Sequence, residues 1–284
     1  MKKRKLNNFK VIKASGEAVD FDVSKLENSL IKSGAGKEVV NRITEKIVHE
    51  TFDGITTREI YHNAFAMLKK ISKQHAARYK LKQGIMELGP SGYPFETFVG
   101  KLLEHEGYKN VRTGQIMQGL CVRHEIDVLA QSANHRLVVE CKFYNKPGTK
   151  CDVKVPLYVH SRFEDIKTFQ HQQPENNRYQ GRVVTNTHFS EDAIRYGLCM
   201  GLPLQSWDYP ESKGIRDVVD QSGLYPLTCL TSLTHHEKQW LLENNFVLVK
   251  DIYNKHPLLR KAGVKEMKLK AVLDEGMELC NLKV

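Results

Sequence analysis

Leu137-Val138-Val139-Glu140-Cys141-Lys142-Phe143-Tyr144 reads as a strand with two charges set into an apolar run. Side chains alternate along a strand, so Glu140 and Lys142 share one face while Val139, Cys141 and Phe143 take the other. Upstream, Glu125-Ile126-Asp127-Val128-Leu129-Ala130 is a second short strand with an acid in its middle. Ahead of both, Tyr93-Pro94 opens a helix whose Phe95, Phe98, Val99, Leu102 and Leu103 form one buried stripe with Glu96 at its border. Lone charges on a hydrophobic strand cost several kcal/mol to bury, and a divalent ion removes that cost. Asp127 and Glu140 supply hard oxygen ligands suited to Mg²⁺ (or Mn²⁺), and Lys142 beside them can position a water and stabilise developing negative charge. A bare Glu-x-Lys pair reads more simply as a salt bridge on an edge strand. Glu125 is expected on the face of its strand opposite Asp127, in a structural role.

The 284 residues suit two or three domains, and 27% charged with 40% hydrophobic residues describes a folded chain. There is no apolar run long enough to span a bilayer, so no membrane partner is expected. The basic start Met1-Lys2-Lys3-Arg4-Lys5-Leu6 has no apolar stretch behind it, which excludes a secretory signal and points to a cytoplasmic location. Cys121, Cys141, Cys151, Cys199, Cys229 and Cys280 form no CxxC pair, so zinc is not expected and reduced, mostly buried thiols are. Of the net charge of +10, most lies in residues 1–88, with 18 Lys+Arg against 10 Asp+Glu. A phosphate-bearing ligand would be favoured there, although a solvated basic surface explains the charge as well.

Punctuation divides the chain into residues 1–88, 93–212 and 213–284, with Gly89-Pro90-Ser91-Gly92 and Tyr209-Pro210-Glu211-Ser212-Lys213-Gly214 at the breaks. In the first segment, Val11-Ile12-Lys13, Ser15-Gly16 and Val19-Asp20-Phe21 spell strand, turn, strand. Helices follow, one opening at Asp22-Val23-Ser24-Lys25-Leu26 and another capped by Thr56 or Thr57 with Glu59 in its first turn. Free backbone N–H groups and Lys ammonium groups meeting at such places favour phosphate.

Phe21-Asp22-Val23-Ser24-Lys25-Leu26, Asp53-Gly54-Ile55-Thr56-Thr57-Arg58-Glu59-Ile60-Tyr61 and Ala77-Arg78-Tyr79-Lys80-Leu81, together with the hairpin, resemble the ATP-cone, a regulatory nucleotide-binding domain of many ribonucleotide reductases. The resemblance implies ATP or dATP as effector, with Val11, Lys13, Lys25, Thr57 and Tyr61 lining the site. It also marks one departure: Ala14 stands where the family usually has Arg, which bears on how many nucleotides bind and how tightly.

Tyr93-Pro94-Phe95-Glu96, Glu125-Ile126-Asp127-Val128 and Val139-Glu140-Cys141-Lys142-Phe143 resemble the PD-(D/E)xK nucleases, in their Mrr-like restriction endonuclease branch. Val183-Val184-Thr185-Asn186, Phe189-Ser190-Glu191-Asp192-Ala193 and Leu204-Gln205-Ser206-Trp207-Asp208 resemble that branch's closing strand–helix–strand. The resemblance implies that Asp127 and Glu140 bind metal together with the Cys141 backbone carbonyl. It makes Lys142 the catalytic lysine and Glu96 an accessory acid. Ile126 replaces the superfamily's usual Pro. His124, His160, His171 and His188 have no spacing that assigns them to a site.

The third segment reads as short helices over 215–222, 237–244, 248–254 and 265–279, with Thr234-His235-His236-Glu237 spelling a capping box. Leu258-Leu259-Arg260-Lys261-Ala262-Gly263-Val264-Lys265 faintly resembles a helix-hairpin-helix motif, with Lys261, Lys265, Lys268 and Lys270 as candidate phosphate contacts. DNA binding and plain interdomain packing stay equally open for it.

The expected fold is α/β and multidomain. It combines a mainly helical ATP-cone bearing a β-hairpin, a restriction-endonuclease-like core with a central mixed sheet, and a small helical C-terminal domain. The expected function is Mg²⁺-dependent endonucleolytic cleavage of DNA, controlled by ATP or dATP, in a homo-oligomer (dimer or tetramer). The alternatives are a nucleotide-responsive DNA-binding regulator and a nuclease for RNA or branched DNA.

Overall fold

The computed structural model describes residues 9–173, 178–253 and 255–280, so the basic residues 1–6 and Asn254 at the end of one expected helix lie outside it. The chain forms two compact units, 1–81 and 82–284. The first division therefore falls before the expected residue 88, and the segments expected as 93–212 and 213–284 share one unit.

In the first unit, β1 (Lys10–Ile12) and β2 (Ala18–Asp20) pair antiparallel with Val11 opposite Val19. The turn between them is made by Gly16, whose φ of 86° is left-handed and suits glycine. α1 (Val23–Lys32) starts at Asp22, whose carboxylate accepts the Ser24 N–H at 3.0 Å. α2 (Lys37–Glu50) and α3 (Thr57–Ile71) follow, the latter opened by a reciprocal capping box between Thr56 and Glu59. α4 (Lys73–Tyr79) closes the unit. Leu26 and Leu30 of α1, Ile43 and Ile47 of α2, and Ile60, Ala64 and Leu68 of α3 form the core beneath the hairpin's Val11.

After α5 (Leu81–Met86), α6 (Tyr93–His105) carries Pro94 in its first turn and buries Phe95, Phe98, Val99, Leu102 and Leu103, the stripe expected from spacing. The strands β3 (Lys109–Gln118), β4 (Arg123–Gln131) and β5 (Arg136–Lys142) form an antiparallel meander. β6 (Lys150–Cys151) leads into α7 (Lys154–His171), and the chain returns as β7 (Tyr179–Thr185), parallel to β5. The short β8 (His188–Phe189) pairs with β6. α8 (Glu191–Met200) and β9 (Leu204–Gln205), parallel to β7, complete the expected strand–helix–strand. The central sheet has the order β3-β4-β5-β7-β9, so it is mixed, with β5 in the middle.

The remainder is helical: α9 (Ile215–Ser222), α10 (His235–Glu243), α11 (Val249–Ile252), α12 (His256–Lys261) and α13 (Glu266–Cys280). The capping box of α10 is present, with Glu237 accepting the Thr234 N–H at 2.7 Å. Buried Glu275 of α13 accepts the Thr231 and Ser232 N–H groups at 2.7 and 2.8 Å, tying the approach to α10 onto the last helix. Gly263 turns the chain between α12 and α13 at φ 89°. Lys268, expected among the phosphate contacts, is committed internally to Glu237 at 2.9 Å. The chain is thus an α/β multidomain protein of the restriction-endonuclease-like type. Among the described residues, no helix is long and apolar enough to cross a membrane.

Candidate active site

Two neighbouring strands place the central acids. β4 and β5 run antiparallel with Val128 opposite Val139, which sets Asp127 and Glu140 at the next position. The strands part there. Asp127 Oδ2 accepts the Cys141 N–H at 2.6 Å, a side chain standing in for a ladder bond. Among the described residues, its other oxygen and Glu140 Oε1 have no hydrogen-bond partner, so one oxygen of each acid is uncommitted.

Lys142, two residues on, is exposed, and its carbonyl accepts from Thr185 Oγ1 at 2.7 Å. Just beyond the strand, Asn186 accepts the Tyr144 N–H at 2.9 Å and donates to the Tyr144 carbonyl at 3.0 Å. The exit from β5 is therefore fastened to the end of β7.

Glu96 lies in the first turn of α6. Burial, then the charges of Asp127, Glu125 and Glu140, pushes its carboxyl up to about 7. Glu140 is pushed up to about 7 by burial and Asp127, with Arg162 and Lys142 opposing. Burial likewise raises Asp127, against the Cys141 N–H and Arg162. These shifts are the signature of like charges gathered in a poorly solvated place, where a cation lowers the free energy of all of them.

Glu125 does not turn away as expected. Residues two apart in a strand share a face, and its charge reaches both Asp127 and Glu96. The Cys141 thiol is held well above its usual range by burial and the surrounding acids, so the side chain stays a neutral thiol. No three His, Cys, Asp or Glu side chains among the described residues form a ready metal-binding set. The donor set that fits a hard divalent ion is the two uncommitted carboxylate oxygens with water completing the shell, an arrangement Mg²⁺ tolerates.

Sequence spacing did not mark Arg162, on α7. Its Nη1 donates to Glu140 Oε2 at 2.6 Å, and its Nη2 to the Glu125 carbonyl oxygen. Of the histidines, His124 Nε2 meets Asp165 Oδ2 at 2.7 Å, a partnership that pins β4 to α7.

In the first unit, the Asp53–Thr57 turn runs beside β1. Lys10 N–H donates to Asp53 at 2.7 Å, Gly54 N–H to the Lys10 carbonyl at 2.8 Å, and Ile12 N–H to the Ile55 carbonyl at 3.0 Å. The bridge between Ile12 and Thr56 thereby brings the strand end that leads to Lys13 alongside the start of α3, where Thr57 lies exposed. Lys13 pairs with Glu17 at 2.9 Å, and Lys25, 82% exposed, lies 3.7 Å from Asp22. Val11 is only 3% exposed and its side chain belongs to the core, while its backbone pairs with Val19 in the hairpin. Tyr61 stacks on Tyr79 with ring centroids 5.1 Å apart.

The ATP cone domain model matches residues 9–81, the restriction endonuclease model (Mrr type) residues 89–209, and the model named AF1548-like, C-terminal, residues 225–280. An uncharacterized protein of Archaeoglobus fulgidus is 34% identical over 182 residues, 64% of this chain and 99% of its own length. The crystal structure described as that of a protein of unknown function, AF1548, is 32% identical with a TM-score of 0.55, over 67% of this chain and 99% of that one. The chain belongs to the family of these proteins: it is an ATP-cone joined to a Mrr-like restriction endonuclease domain of the PD-(D/E)xK superfamily.

Proposed function

We propose that the protein is a divalent-metal-dependent endonuclease that hydrolyses DNA phosphodiester bonds under the control of ATP or dATP bound to its cone. The observation that supports this most is the meeting of Asp127 and Glu140, each with one anchored and one uncommitted oxygen, in the presence of Glu96. Asp127 and Glu140, with the Cys141 carbonyl, would hold Mg²⁺ or Mn²⁺. When bound there, such an ion would neutralise negative charge on a phosphoryl oxygen and lower the pKa of a water. Lys142 orients the attacking water and offsets the negative charge that grows on the phosphate. Glu96, beside Asp127 and Glu140, would serve as the accessory acid of the centre. Cleavage leaves 5′-phosphate and 3′-hydroxyl ends.

In the cone, Val11, Lys13, Lys25, Thr57 and Tyr61 line the nucleotide site, as the resemblance to the family implies. The nucleotide is an effector and not fuel, since the sequence has no GxxxxGK[ST] loop. An effector coupling of about 1–3 kcal/mol changes activity roughly 5- to 150-fold. It acts through oligomeric state, a dimer or tetramer bringing two centres to two strands. Division of labour follows residues 1–88 for sensing, 93–212 for cleavage and 213–284 for substrate holding or packing.

The test is plasmid cleavage in Mg²⁺ by wild type, Asp127→Asn and Lys142→Ala, each without nucleotide, with ATP and with dATP. Cleavage by wild type alone, altered by nucleotide, supports the reading. DNA binding without cleavage in any condition would replace it with a nucleotide-responsive regulator. Elution of the same size with ATP, with dATP and with neither would remove the oligomeric mechanism.

A further inference from the structure

The Arg162 side chain is only 12% exposed and makes two charge-assisted bonds from one guanidinium. One nitrogen meets Glu140 Oε2, and another meets the carbonyl of Glu125, on the strand that also carries Asp127. The guanidinium thus spans β4 and β5 at the place where their ladder has stopped and Asp127 has taken over the Cys141 N–H. A planar fork can do this because its donors are fixed relative to one another. The Tyr158 ring, one helical turn back on α7, lies 5.5 Å from the guanidinium carbon and covers it on one side. Asp127 and Glu140 feel both Arg162 and Lys142, while Glu96 and Glu125 add two further carboxylates, an excess of acid that one bound divalent ion would offset.

Two tethers therefore aim the two acids: the Cys141 amide takes one oxygen of Asp127, and Arg162 takes one oxygen of Glu140. We infer that Arg162 is a positioning residue of the metal site, which locks Glu140 so that its Oε1 faces the uncommitted oxygen of Asp127. This inference rests on the metal-dependent reading above and gives that site its supporting shell. Such a partner fixes a ligand's direction before the ion arrives, and its loss typically weakens metal affinity about 10- to 100-fold.

The test is calorimetric titration of Mn²⁺ into the full-length wild type, Arg162→Lys and Arg162→Ala, without nucleic acid, with a thermal melt of each. Wild type is expected to bind, and Arg162→Ala to bind about 10- to 100-fold more weakly. Arg162→Lys should fall between, because an ammonium can reach Glu140 but cannot fork to both partners. Unchanged or tighter binding by a folded Arg162→Ala would overturn the inference, tighter binding meaning that Arg162 competes with metal for Glu140. Absence of binding by wild type would instead remove the metal site on which the inference rests. If Arg162→Ala does not fold, Arg162→Lys decides: affinity equal to wild type overturns the inference. Activity supplies a second readout, since a positioning defect should be recovered by raising the Mn²⁺ concentration, whereas loss of a group needed in the reaction itself should not.

Discussion

The carboxylate of Asp127 accepts the backbone N–H of Cys141 at 2.6 Å, across two strands whose regular pairing has just ended. One side chain therefore has a structural duty and, on the reading proposed here, a chemical one, and substitution separates them. Asp127→Asn keeps an acceptor for the Cys141 amide and removes the charge, so cleavage should fall on the order of 10²-fold or more with little change in stability. Asp127→Ala removes the acceptor too, and should cost a further ~1–3 kcal/mol for the stranded N–H. Cleavage assays beside chemical denaturation of the two variants check the difference.

Stability of the metal-free protein should fall as pH rises. The Glu96 and Glu140 carboxyls are raised to about 7 in the fold from an ordinary value of 4.5, so the folded chain holds protons that the unfolded chain releases. The loss should run from about pH 4.5 through about pH 7. Mg²⁺ or Mn²⁺ should oppose it, stabilising more strongly at pH 8 than at pH 5. Melting curves across this range, with and without metal, test the sign, and Glu96→Gln should flatten the metal-free profile.

Asp165 should make an opposite contribution. It accepts from His124 and from the Cys121 and Val122 amides, and these bonds hold its carboxyl down at about 2, below the ordinary 3.8. Its stabilisation is present above about pH 3.8 and lost as pH falls through about 2. Acid unfolding of Asp165→Asn should lack this component, and amide exchange at Cys121 and Val122 should quicken.

Ala14 follows Lys13 directly in the β1–β2 turn, two residues beyond the Ile12 that bridges to Thr56 at the start of α3. Restoring a guanidinium there with Ala14→Arg should tighten ATP and dATP binding by about 1.5–3 kcal/mol, the worth of a charged hydrogen bond to phosphate. Lys13→Ala should weaken it by a similar amount. Calorimetry with each nucleotide measures both, and a second binding event in Ala14→Arg would show that the natural alanine limits stoichiometry.

Much of this was legible in the residues. The apolar period of α6, the alternation through β4 and β5, and the Thr234–Glu237 capping box are local patterns, and local geometry enforces them. Glu125 shares the face of Asp127, because side chains two apart in a strand point the same way. Arg162 was not legible. It meets Glu140 across 22 positions, from a helix that begins with Pro156 in an early turn, and no spacing rule links the two. Val11 illustrates the converse: a family position carries over by motif, but its side chain is claimed by the core.

β5 occupies the middle of the five-stranded sheet, laddered on one side to β4 and on the other to β7, with Asn186 clamping its exit at Tyr144. Up to Val139 both flanks hold it, and from Glu140 to Lys142 the β7 ladder, the Asp127–Cys141 bond and the Asn186 clamp resist bending. On the proposed function, an effector would gain little by deforming β5, and control would be exerted on access to the site while the site keeps its shape. Nucleotide would then alter the apparent affinity for DNA, or the count of centres engaged, and leave the rate of the bond-breaking step on a bound substrate nearly constant.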